Sequence, residues 1–225
     1  MDFDLLRTLK LLPGIVIGLT IHEFSHAIVA RWCGDRTSSD AGRVTLNPVK
    51  HIDPLGFILL LIAGFGWAKP VEFNEQNLKN PKTDIIKIAL AGPFSNAILA
   101  MILSLIMVLS FRTVDVLPGS VTGVIVEIIF YAIFVNWGLF VFNLIPIPPL
   151  DGSHVLFQPF RKYPDLYNWL YKYGSLALFF ILIAGSVSGR NLIPIGPAIE
   201  YLARGFLGLF GFTIKFINLK RGLKN

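Results

Sequence analysis

Residues 11–30 read LLPGIVIGLTIHEFSHAIVA. A run of about 20 mostly apolar residues is what an α-helix needs to cross the hydrocarbon core of a bilayer. This one carries His22, Glu23 and His26 inside it. An ionisable side chain at the centre of a membrane helix costs roughly 3 kcal/mol and by default marks a functional site. Side chains four apart on a helix share a face, so His22 and His26 point the same way and reach a single metal ion. Imidazole suits zinc. Glu23, beside the first histidine, is placed to act on a metal-bound water as a general base.

The rest of the chain has the same apolar character. Of its 225 residues 54% are hydrophobic and 15% charged, with a formal net charge of +6. Mean hydropathy is +0.64. Soluble domains carry about 25% charge, so this chain lacks the polar groups to cover a water-facing surface, and its apolar content excludes disorder. The basic excess does not indicate nucleic acid, because the lysines and arginines flank apolar runs instead of forming one patch. The single cysteine, Cys33, excludes a disulfide within the chain. Further membrane-length runs lie at residues 85–111 and 121–145, with two more in the tail at 170–187 and 192–217. Residues 55–67 are apolar but too short to cross, and they sit between Pro54 and Pro70; a re-entrant or interfacial segment fits them. Residues 42–48 (GRVTLNP) alternate weakly and read as a short strand that offers an edge to an extended peptide. The expected fold is an all-α polytopic membrane protein. It has about five to six apolar helical segments and a short re-entrant or strand-like insertion after the first. One membrane-embedded domain accounts for residues 1–225, with a core at about 11–155 and C-terminal helices at about 168–217.

Orientation follows from the basic residues. Arg36, Arg43, Lys50, Lys69, Lys79 and Lys82 lie between the first two clear spans, Arg112 alone follows the second, and Arg161 and Lys162 follow the third. The arrangement that satisfies them has the N-terminus outside and the long basic loop in the cytoplasm of a multi-pass cell-membrane protein.

Two histidines need at least one more protein ligand and an open position for water. Asp151 lies in NLIPIPPLDG, residues 143–152, at the end of the third clear span. Pro146, Pro148 and Pro149 cannot continue a helix, so the chain unwinds there, and Gly152 permits a close backbone approach. By the orientation argument the histidines and Asp151 both lie toward the cytoplasmic side. His51, Asp53 and His154 compete for the same role. Asp53 before Pro54 also reads as a helix cap, His51 beside Lys50 as a solvated residue, and His154 as a surface residue or a neighbour of the site.

HEFSH in the first span and NLIPIPPLDG after a later one together resemble the site-2 protease family of intramembrane zinc metalloproteases, in its compact prokaryotic form without a PDZ or CBS domain. Gly92-Pro93-Phe94-Ser95-Asn96 resembles the family's GPxxN element, and residues 51–56 and 64–71 resemble segments of its compact members. The resemblance implies that His22, His26 and Asp151 bind one zinc ion per chain and that Glu23 activates water. It places Asn143 near the site, holding substrate or the developing oxyanion, and Asn96 in the same region; an interhelical hydrogen bond is the alternative for each asparagine. The activity implied is hydrolysis of peptide bonds in membrane-embedded protein substrates. The competing reading is a zinc-binding transporter or regulatory membrane protein without hydrolase activity. Glu23 favours the protease, because a transport site needs no base beside its first ligand. The partners expected are a membrane-embedded protein substrate and the lipid bilayer, with no nucleic acid; homo-oligomerisation is left open.

Overall fold

A computed structural model describes residues 5–63, 66–113, 120–188 and 192–209. Among the described residues eight α-helices run in the order α1 (Leu5–Trp32), α2 (Thr37–Asp40), α3 (Pro54–Ala63), α4 (Pro81–Thr113), α5 (Val121–Asn143), α6 (Asp151–Leu156), α7 (Pro164–Ser188) and α8 (Gly196–Leu209). Four of them contain stretches long and apolar enough to cross a membrane: Leu6–Trp32, Pro81–Ser110, Val121–Asn143 and Pro164–Gly185. The fold is the all-α polytopic membrane class that the composition predicts.

Helices α1, α4 and α5 pack on one another and form the centre of the molecule. Lipid tails are as apolar as leucine, so these helices gain little from hydrophobic burial against each other and depend on close van der Waals approach. Gly14 and Gly18, one turn apart on α1, provide that approach. A Cβ on Gly14 would lie 2.6 Å from the Ala132 Cα of α5, and one on Gly18 would lie 2.8 Å from the Asn136 side-chain oxygen. Helix α8 covers the α4–α5 pair with Ala203 and Leu207, which join Ala100, Val108, Ile133 and Trp137 in one buried cluster. α8 is described over 14 residues. The expected second tail span over 192–217 falls partly on residues outside those described.

The segment between α1 and α4 folds back on itself. Ile52 and Ala68 form an antiparallel bridge across the base of α3, and the Lys69 N–H donates to the His51 carbonyl at 2.8 Å. The ten-residue α3 is thus a closed excursion and not a span. Asp53 caps it, accepting from the Gly56 N–H at 2.8 Å. Residues 42–48 do not form the expected strand. Asn47 instead turns the chain with its own side chain, accepting from the Val49 N–H at 3.1 Å, and local side-chain bonds of this kind compete with extended pairing.

Asp35, fully buried, ties the loop together. Its carboxylate accepts from the Thr37 hydroxyl at 2.6 Å, the Asn77 amide at 2.9 Å and the Asn74 N–H at 3.0 Å. Burial works to raise this carboxyl, and the bonds from Thr37, Asn77 and Asn74 overcome it, so the group sits below its ordinary value. Its contribution to stability is therefore fully present above about pH 4 and is lost as pH falls through the lowered value. Asp35→Ala, which strands those donors, should cost roughly 3 kcal/mol and lower the thermal midpoint in detergent at pH 7 by several degrees. A differential scanning measurement checks it.

Candidate metal centre

His22 and His26 lie in the second half of α1, buried against α4. Asp151 arrives from the other side of the fold. Helix α5 ends at Asn143, and the proline-rich residues that follow turn the chain so that Asp151 opens α6, which packs on α4. The Pro148–Pro149 bond is cis. The three residues form a group whose ligand atoms all lie within 4.8 Å of one another. His22 Nε2 is 3.0 Å from His26 Nε2 and 3.1 Å from Asp151 Oδ2, and His26 Nε2 is 3.5 Å from Asp151 Oδ1.

The protons on the far side of each ring decide what faces the centre. His26 Nδ1 is 2.7 Å from the Ile88 carbonyl, which can only accept, so Nδ1 carries the hydrogen. His22 Nδ1 is 2.7 Å from Asn96 Oδ1 and donates to it. Each ring then presents a bare Nε2 lone pair to the other and to an anionic carboxylate, and Asp151 Oδ2 is shielded from solvent with no hydrogen-bond partner. Lone pairs at these distances repel unless a proton or a metal cation lies among them. A tetrahedral shell at zinc's ligand distances has edges of about 3.3 Å, close to the three separations observed. The donor set, two neutral imidazoles and one carboxylate, is one that catalytic zinc sites use. The residues present fit a zinc ion.

Gly92 of α4 leaves the space in front of both ring nitrogens free. A Cβ there would lie 2.6 Å from His22 Nε2 and would collide with His26 Nε2 as well.

Glu23, on the neighbouring position of α1, is buried and accepts a hydrogen bond from the Val71 N–H at 3.0 Å. Val71 belongs to the chain that returns from α3. Arg43 holds that chain in place, donating to the Lys69 carbonyl at 2.6 Å and the Pro70 carbonyl at 3.2 Å.

The other candidates fall apart in space. Asp53 caps α3. His51, read from the sequence as solvated, is fully buried and donates to the Thr45 carbonyl at 2.8 Å. His154 lies one turn beyond Asp151 on α6, and its ring packs 6.4 Å from that of Tyr171. Burial holds it below its ordinary value, and nearby Asp151 opposes this only in part. Asn143 bonds back to the Leu139 carbonyl of its own helix at 3.0 Å. Asn96 does reach the centre, but as the partner of His22. Its amide donates to the Gly18 carbonyl at 3.0 Å and to Asn136 Oδ1 at 2.9 Å, which leaves it no free donor. Sequence reasoning passed over Asn136. The signal was an asparagine inside an apolar span, where a polar amide must find a partner on another helix.

Gly92→Ala should cost the centre its metal, because the added methyl occupies the space in front of both ring nitrogens. Elemental analysis of the purified variant should find its zinc content at least tenfold below that of wild type, with the helical circular dichroism unchanged.

The chain matches peptidase family M50, the site-2 protease family, over residues 10–183. It is 44% identical over 163 residues to a Bacillus subtilis protein named as a zinc metalloprotease, YwhC, a match covering 69% of this chain and 73% of that one. It is 32% identical over 161 residues to Methanocaldococcus jannaschii MJ0611, which carries the same description, covering 71% and 75%. A third relative so described, Rip2 of Mycolicibacterium smegmatis, is 32% identical over 150 residues, 64% of this chain but only 55% of that longer protein. No solved structure gives a significant match. The match runs through the candidate centre and most of the helices around it: the chain belongs to peptidase family M50 and is a zinc metalloprotease of the multi-pass membrane type.

Proposed function

We propose that this chain is an intramembrane endopeptidase that binds one zinc ion through His22, His26 and Asp151 and cleaves membrane-embedded protein substrates near the cytoplasmic face of the cell membrane. The observation that carries the reading is the convergence of two imidazole lone pairs and a carboxylate inside an apolar helix bundle, with a second carboxylate, Glu23, one residue from the first ligand. A purely structural or transport site has no use for that second carboxylate. The orientation rests on the basic residues of the 33–80 loop and on Arg161 and Lys162.

Zinc supplies Lewis acidity when bound: it brings the pKa of water toward neutrality and polarises a peptide carbonyl. The protein's own part is to hold and move protons and to position the substrate. The Val71 N–H fixes one oxygen of the Glu23 carboxylate, leaving the other to take the proton of the attacking water and later to deliver it to the leaving amine. A substrate helix hides its carbonyls in its own hydrogen bonds, so the scissile segment must be unwound when it reaches Glu23.

Glu23→Gln should keep about one zinc per chain and lose cleavage of a membrane-embedded test peptide by a factor of at least 10². Asp151→Ala should lose both the metal and the activity. Zinc content and peptide cleavage measured side by side on wild type and both variants make the test. Cleavage surviving in Glu23→Gln would remove Glu23 as the base, and a zinc-loaded wild type without peptidase activity would favour the transporter reading.

A further inference from the structure

Two buried asparagines, Asn96 and Asn136, form a chain of hydrogen bonds across three helices, and the direction of every bond in it is determined. The Ala132 carbonyl of α5 can only accept, and it takes a hydrogen from Asn136 Nδ2 at 2.8 Å. That sets the Asn136 amide with Oδ1 facing α4, where it accepts from Asn96 Nδ2 at 2.9 Å. The second Asn96 hydrogen goes to the Gly18 carbonyl of α1 at 3.0 Å, another group that can only accept. Asn96 Oδ1 is thereby turned to His22 Nδ1 at 2.7 Å, and that nitrogen must carry the hydrogen. Both asparagines are fully buried, so water does not compete. Gly18 makes room for the arrangement, since a Cβ there would lie 2.8 Å from Asn136 Oδ1.

The geometry points to Asn96 and Asn136 as positioning residues: they set the tautomer of His22 and hold its Nε2 lone pair toward the zinc site, which makes zinc affinity depend on how α5 sits against α1 and α4. The inference rests on the zinc-site reading above, but not on proteolysis. A free imidazole has its hydrogen on either nitrogen. A ring whose Nδ1–H is held by an acceptor has one, and ligand-orienting partners of this kind are worth 10–100-fold in metal affinity.

The test separates orientation from simple helix packing. Asn96→Leu removes the acceptor on His22 and both interhelical donations. Asn96→Asp also removes the donations but keeps an acceptor on His22 Nδ1. Competition of each protein with a chelator for zinc alone should show Asn96→Leu weakened by about 10–100-fold and Asn96→Asp no weaker than wild type, although both lower the thermal midpoint of the zinc-free protein. Asn136→Leu should fall between the two, because Gly18 still orients Asn96. Equal weakening in Asn96→Leu and Asn96→Asp, or none in Asn96→Leu, overturns the inference.

Where Asn96→Asp fails to fold, ¹⁵N-histidine spectra of zinc-free wild type decide the matter, with the His22 signals assigned against His22→Gln. The hydrogen is expected on Nδ1, and finding it on Nε2 overturns the inference. A wild type that binds zinc but cleaves no peptide would count against the proposed function and leave this inference standing.

Discussion

Two histidine nitrogens 3.0 Å apart, each with its lone pair toward the other and toward a carboxylate, are the constraint around which the helix bundle is arranged. A metal ion or a proton among them relieves that repulsion, and the surroundings are built to keep the ring nitrogens in place. The Ile88 carbonyl and the Asn96 amide hold the outer face of each ring. Gly92 keeps the space in front of them open. The proline-rich turn after α5 brings Asp151 from more than a hundred residues away. Each of these contacts comes from α4 or from the chain that follows α5, so the candidate centre requires the three central helices to be at close range. The glycines of α1 permit that range.

The loop between α1 and α4 serves the same centre from the opposite side. Asp35 gathers its ends, the Ile52–Ala68 bridge closes α3 into a loop, and Arg43 holds the returning chain by its carbonyls. One N–H of that chain, from Val71, ends on Glu23. A buried carboxylate in an apolar helix must be satisfied by something, and here a main-chain donor does so at one oxygen only. The position of the proposed base thus depends on a segment whose own geometry is set by hydrogen bonds from residues tens of positions away.

Much of this was legible in the sequence. A helical period in a membrane-length run puts His22 and His26 on one face whatever the rest of the chain does, and prolines at 146, 148 and 149 end a helix wherever they occur. The apolar runs at 85–111 and 121–145 are close to the helices α4 and α5. The readings that failed depended on less local information. Residues 42–48 alternate like a strand, but Asn47 and Gly42 turn the chain. For Asn96 the sequence left an interhelical hydrogen bond beside a role near the site, because a sequence does not show how many of an amide's hydrogens are already used.

The sequence by itself determined the membrane class, the four long apolar helices, the shared face of the two histidines and the break before Asp151. These follow from hydropathy, helical period and proline stereochemistry, all of which act over a few residues. Only the tertiary structure decided which acid joins the histidines, which nitrogen of each ring carries its hydrogen, and that Asn136 stands behind Asn96. Those outcomes depend on which carbonyls and amides of distant helices come within 3 Å of a buried polar atom. Inside an apolar core that distance separates a satisfied group from one that costs about 1–3 kcal/mol.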